Sequence, residues 1–267
     1  LSFNVSTARD RVFVSLSGLE ENLEKGIELF EHVLSHVKAD KNVYDEMVMD
    51  ILQKRANAKK NKNAILYSGL GNYAKYGTLN PFNNVLSEEE LKKADVNHLV
   101  DLIKQLGNYK HKIFYYGNLE AATVLNVFNK LHPVNAPLKD YPVAKKYPEL
   151  PMNETKVFVC YYPMKQAEIV MLGKDVLFNK DLYPNIFLYN DYYGSGLSSI
   201  MFQEIREKMA LAYSVYSSFG VPAHADESHY VTSYVGTQAD KMKTALAEMN
   251  KLLNDMPEVP QQFEGAR

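Results

Sequence analysis

The chain has 267 residues, 46% hydrophobic and 23% charged, with a net charge of −2 and both signs interspersed. That balance belongs to an ordinary globular protein with room for two domains, and it argues against nucleic acid or a membrane surface as an obligatory partner. No apolar run is long enough to span a bilayer, and the opening residues do not read as a signal peptide.

SFNVS and RVFVSLSG alternate apolar and polar residues around the turn-like segment 7–10, which predicts a β-hairpin. A helix follows, with Leu23, Ile27, Phe30, Leu34 and Val37 on one stripe. A second helix is expected from about Tyr44 to Lys60. Ser87 with Glu90 three residues on forms a capping box, and Asp95 reads as another N-cap before Leu99, Leu102, Ile103 and Leu106. HKIFYYG reads as a strand ending at Gly117, and Ala121–Leu131 as a helix.

Five of the eleven prolines (Pro133, Pro137, Pro142, Pro148 and Pro151) then fall within nineteen residues. Proline fixes φ and removes donors, so residues 133–155 read as an extended linker between a domain at 1–132 and another at 156–267. Beyond it, KVFVCYYP and AEIVMLGKDV are strand candidates. Cys160 is the single cysteine, so no internal disulfide forms, and its apolar run reads as the site of a buried structural thiol. Pro184 suits a helix first turn. That helix is expected to break at Gly194-Ser195-Gly196 and resume from Leu197 to Met209. LAYSVYSSF and HYVTSYVG form a second hairpin, followed by a helix at Asp240–Asn254.

The two hairpin–helix units share a pattern. From Gly18 the stripe is Leu23, Ile27, Phe30, Leu34; from Gly236 it is Met242, Leu246, Met249, Leu253. One fold used twice is the reading. The units differ in what precedes and follows them, so the chain reads as a fragment with both domains incomplete at its ends.

YYGSGLSSIMFQEIREKMALAYSVYSSF resembles the signature of the pitrilysin-like zinc metallopeptidases. The resemblance rests on the glycine-rich break, Ser198-Ser199, Phe202, Ile205-Arg206-Glu207 and Leu211-Ala212-Tyr213-Ser214, with Gln166 and Ile169 to Gly173 upstream. Gly18 with Glu21-Asn22-Leu23, Tyr76-Gly77 and Asn80-Pro81 extend it over the first domain. It implies two related α+β domains, each a mainly antiparallel sheet with helices packed on one face. It further implies a clamshell of two halves that encloses a peptide substrate, one half carrying zinc.

The family's His-x-x-Glu-His motif, which places two ligands and a general base on one helix face, does not occur in this sequence. His32 and His36 have the spacing without the Glu and point away from the apolar stripe. HADESH (His224, Asp226, Glu227, His229) lies between two hairpin strands, where polar residues need no ligand role. The family's more distant Glu falls at Lys54 or Arg55, where a cation would repel zinc; Glu46 and Asp50 are acidic alternatives on the same helix. No metal site and no catalytic residue are therefore expected in this chain. The resemblance implies the non-catalytic half, which closes the chamber and binds peptide, with zinc on a catalytic half in the same polypeptide or a partner subunit.

Arg206 and Tyr213 have two readings. Structurally, a cation suits a helix C-terminus and Tyr suits a strand. The resemblance implies that both reach across the closed cleft to the substrate backbone, the Tyr also stabilising the oxyanion. Gly194-Ser195-Gly196 lacks the Lys-Ser/Thr of a phosphate loop and reads as a bend. Two alternatives stand beside the peptidase reading: a structural subunit of the same fold, like the core subunits of the respiratory cytochrome complex, and an unrelated α+β peptide-binding module. The compartment stays open among cytoplasm, periplasm and organelle.

Overall fold

The computed structural model describes every residue except 9, 133, 135 and 136, so Arg9 of the expected turn and Pro133 of the expected linker lie outside the described residues. It is an α+β chain with antiparallel sheets and packed helices. Two compact units are present, and both are discontinuous in sequence. The first comprises residues 1–56 and 85–146, the second residues 57–84 and 147–267.

In the first unit, β1 (Ser2–Ala8) and β2 (Arg11–Ser17) pair antiparallel in the register Val5↔Val14. The apolar stripe then folds as α1 (Leu23–His36), with Ile27 buried and Leu23, Phe30 and Leu34 half-buried. Tyr44 and Val48 of α2 (Lys41–Ala58) meet Leu91 of α4 (Glu88–Lys93) in a small core, where the Tyr44 hydroxyl donates to the Leu91 carbonyl at 2.6 Å. α3 (Gly71–Tyr76), which lies between them in sequence, belongs to the second unit. Ser87 caps α4 as expected: its Oγ accepts from the Glu90 amide, and the Glu90 carboxylate accepts from the Ser87 amide. Ser87→Ala is expected to cost about 1 kcal/mol in urea denaturation. Asp95 caps α5 (Val96–Lys104), whose buried residue is Val100. The expected stripe is corrected in part: Leu102 and Ile103 are exposed, while Leu99 packs, half-buried, against the small core and Leu106 is half-buried. Ala121–Leu131 is α6, as expected.

Two expected strands are not strands. HKIFYYG is extended without ladder partners, and Phe114 and Tyr116 are exposed. KVFVCYYP is likewise unpaired, with Val157, Val159 and Tyr161 exposed. Cys160 is consequently an exposed thiol, not a buried one. Both segments have strand composition, but a strand needs an edge to pair with, and among the described residues neither finds one.

The second unit is built on a sheet of order β3-β5-β4, from β3 (Gln166–Leu177), β4 (Ser214–Gly220) and β5 (Ser228–Gln238). Strand alternation sends Val215, Ser217, Ser233 and Val235 to one face. There they meet α7 (Tyr183–Tyr189, with Pro184 in its first turn), the π-helical turns Asn190–Gly194 and Phe202–Lys208, and α8 (Met242–Asn254). The helix breaks at Ser195–Ser199 and resumes at Ile200, three residues later than expected. α8 buries Ala245, Met249 and Leu252 and half-buries Leu246 and Leu253, so of the expected stripe of Met242, Leu246, Met249 and Leu253 only Met242 is exposed. A 3₁₀ turn, Ala239–Lys241, leads into α8, which Met242 opens. α9 (Pro260–Ala266) closes the chain.

The other face of this sheet is also covered. Residues 64–76, a π-helical stretch running into α3, set Tyr67 against Tyr216 and Tyr234, and Lys75 over the Tyr230 ring at 4.2 Å. Glu168 of β3, nearly buried, accepts from Lys62 and from the Tyr234 hydroxyl at 2.6 Å. Burial pushes the Glu168 carboxyl up, but the Lys62 and Tyr234 hydrogen bonds and the Lys62 charge outweigh it and hold it below the ordinary value of 4.5. A depressed folded value means that this contribution is present above pH 4.5 and lost as pH falls through the folded value. Glu168→Gln should therefore flatten the loss of stability below pH 4.5, read from urea melts at stepped pH; a slope equal to wild type would show that the pair contributes nothing.

Candidate functional site

The motif of residues 202–214 folds as a π-helical turn, a tight reversal and a strand entry. Ile205 is fully buried and anchors the turn, which leaves Arg206 on its outer side with its side chain 42% exposed. Ala210 takes φ 51°, a left-handed conformation unusual for a residue with a Cβ. Three contacts hold it. The Leu211 amide returns to the Ile205 carbonyl at 3.0 Å, the buried Thr237 hydroxyl donates to the Leu211 carbonyl at 2.6 Å, and Lys241 donates to the Ala210 carbonyl at 3.2 Å. The Tyr213 amide then donates to Gly236 at 2.9 Å, just ahead of the ladder of β4 with β5.

This reversal brings Arg206 and Tyr213 together. The guanidinium carbon lies 4.6 Å from the Phe202 ring centroid and 6.0 Å from that of Tyr213. Tyr213 is 76% exposed, while Val215, two residues on, is buried. A cation stacked on one aromatic ring and facing another is restrained by the rings, with only a long ion pair to a carboxylate beside it. The flanking Glu204 is itself paired with Lys208 at 2.9 Å, and Glu207 approaches only the Arg206 Nε, at 3.7 Å. The arrangement offers a directional cationic donor and a phenol donor on the same exposed edge.

The metal candidates separate. His32 and His36 stack at 4.1 Å on the exposed side of α1. His229 is fully buried: its Nδ1 lies 3.0 Å from the Gly220 carbonyl, which only accepts, so Nδ1 carries the hydrogen, and its Nε2 accepts from the Asn179 amide at 3.0 Å. With both nitrogens engaged it ties together the two ends of the β4–β5 loop and has no lone pair to offer a metal. Lys54 pairs with Asp50 at 2.6 Å, and Arg55 donates to the Leu86 carbonyl at 2.6 Å, so both cations are engaged with neighbours in the first unit. Among the described residues, no three His, Cys, Asp or Glu side chains converge as a metal centre.

Sequence reasoning missed the cluster of Tyr67, Tyr216 and Tyr234 with Glu168 and Lys62. Burial first, then the neighbouring phenols and Glu168, push the Tyr67 hydroxyl well above the ordinary phenol range, and Tyr234 is raised in the same direction for similar reasons. These hydroxyls stay neutral donors, suited to holding the sheet rather than to acid–base work. The available signal was the abundance of Tyr, 19 residues with no Trp, and the alternation of Tyr230 and Tyr234 along one strand.

Residues 93–264 match a family model described as "Peptidase M16 inactive domain". A stretch of 72 residues is 39% identical to a Rickettsia bellii protein named an uncharacterized zinc protease, and it covers 27% of this chain and 17% of that protein. Two solved structures share the fold. The peptidase M16 inactive domain from Pseudomonas fluorescens superposes with a TM-score of 0.69 at 18% identity, over 99% of this chain and 65% of its own. A mutant of the ferredoxin protease FusC, in complex with Arabidopsis ferredoxin, gives 0.71 at 14% identity, over 99% of this chain and 29% of its own. The chain thus spans less than two thirds of the length of each.

Proposed function

The chain belongs to the peptidase M16 inactive-domain family, and from that premise we propose that it is the non-catalytic half of a zinc metalloendopeptidase, closing the chamber and holding peptide against the catalytic half. The observation that carries this reading is the juxtaposition of Arg206 and Tyr213 on an exposed edge, held by a strained reversal at Ala210. Strain of this kind persists only where the surroundings over-determine it, and it concentrates at functional sites. Arg206 would donate charge-assisted hydrogen bonds to substrate carbonyls. Tyr213 would donate to the oxygen that gains charge as the scissile carbonyl becomes tetrahedral. Zinc, in this reading, is held by the other half, because the residues at the matching positions here are Lys54 and Arg55.

The test is reconstitution with the zinc-bearing half, which carries His-x-x-Glu-His. This chain alone should leave an unstructured peptide uncut, with or without added zinc, and the mixture should cleave it. Cleavage by this chain alone, abolished by a chelator, would overturn the reading. A tight complex that binds peptide without cleaving it would favour the structural-subunit alternative.

A further inference from the structure

We propose that His111 and His132 form a second, surface binding site in the first unit, for a divalent transition metal of the zinc class. Their Nε2 atoms face one another at 2.9 Å. Each ring is fixed from behind. The His111 Nδ1 lies 2.7 Å from the Tyr109 carbonyl, which only accepts, so that nitrogen carries the hydrogen. The His132 Nδ1 lies 2.7 Å from the Glu31 carboxylate, and the same logic makes it a donor. With both Nδ1 atoms donating, the two Nε2 atoms would present lone pairs to each other, an arrangement that repels unless an electrophile, a proton or a metal ion, lies between or beside them.

A proton or a metal ion meets that need. The metal is favoured by the shell behind the rings, since ligating histidines characteristically donate their second N–H to a carboxylate or a backbone carbonyl, and here one does each. Zinc–nitrogen bonds of ~2.0–2.1 Å in a tetrahedron set the two nitrogens about 3.3 Å apart. The pair must therefore open by a few tenths of an ångström, and each ring must turn so that its lone pair aims at a common point off the line between the nitrogens. Each ring can turn about its Nδ1 hydrogen bond, because His111 is exposed and follows the turn after α5, while His132 is the C-cap of α6. Water would complete the coordination, as no third His, Cys, Asp or Glu converges among the described residues. This predicts weaker binding than in a closed four-ligand site. Imidazole ligands suit zinc, copper and nickel over magnesium or calcium.

The test is calorimetric titration of the chelator-treated full chain with zinc chloride at neutral pH, with magnesium chloride as the control. One zinc per chain is expected and no magnesium. His111→Gln and His132→Gln should each abolish binding, and Glu31→Gln should weaken it on the order of 10–100-fold. The double variant His32→Gln/His36→Gln should retain it. Absence of zinc binding, leaving the proton as the occupant, or binding that disappears in the His32/His36 variant and survives in His111→Gln, would overturn the proposal. If a His132 variant does not fold, NMR of the imidazole resonances in the wild-type chain decides: shifts confined to two of the seven histidines, removed by His111→Gln, support the site. Shifts at His32 and His36 alone refute it.

Discussion

Tyr213→Phe, assayed with the zinc-bearing half present, is expected to lower turnover about 10²–10³-fold while leaving peptide affinity nearly unchanged. The phenol would contribute through its hydrogen alone, and chiefly when the scissile oxygen carries charge, so its loss should be a loss in kcat. The fold gives no reason for a second effect. Tyr213 is 76% exposed, the described contact of its ring is with Arg206, and the phenyl group of Phe preserves that contact. Arg206→Ala should behave differently, raising KM as well, because it removes a charge-assisted contact already present in the bound ground state. It also uncovers the Phe202 ring, 4.6 Å from the guanidinium carbon, so a small loss of stability should accompany it. Turnover equal to wild type in a Tyr213→Phe protein of normal stability would leave the pair as a helix end and a strand entry without a role in the reaction.

The seven-residue spacing of this pair and the shortness of the link between them were legible in the sequence, and the left-handed angle of the turn that joins them was not. A left-handed Ala210 leaves no mark in composition, because it is imposed by Thr237 and Lys241, more than twenty residues away. The same division runs through the fold. Helices carry their own hydrogen bonds, so the periodicity of Leu23 to Leu34 and the cap at Ser87 were enough to place α1 and α4. Strands depend on a partner. HYVTSYVG found two, β3 and β4, while HKIFYYG and KVFVCYYP, with the same kind of residues, found none. His229 reads as one polar residue in a polar loop until its two backbone partners are known. Glu168 and Lys62 are 106 residues apart, and no local pattern announces that they meet.

Gly194→Ala is expected to be the most damaging small substitution in the second unit. Gly194 ends a π-helical turn that abuts β4, and an added Cβ would lie 2.9 Å from the Ser217 carbonyl carbon and closer still to its oxygen. That obstacle is backbone and cannot rotate away. Ser217 is fully buried in the middle of β4, opposite Ser233 in the ladder, with its hydroxyl at 2.7 Å from those of both Ser233 and Tyr189. Relief requires the turn to withdraw from the strand, opening the core around Tyr193 and Ile200. Overpacking typically costs about 1–3 kcal/mol, and a clash with immovable backbone belongs at or beyond the upper end. For a unit of this size, 3 kcal/mol corresponds to a melting temperature lower by roughly 6–12 °C. Gly196→Ala is the informative control. Gly196 has φ 87°, but no atom lies within 4 Å of its added Cβ, so it should bear only the left-handed strain of about 1–2 kcal/mol. Melting curves of the two variants should therefore separate by several degrees, Gly194→Ala the lower. Equal shifts would mean that the bend at residues 194–196 matters for its backbone angles alone and that the close approach to Ser217 does not constrain the fold.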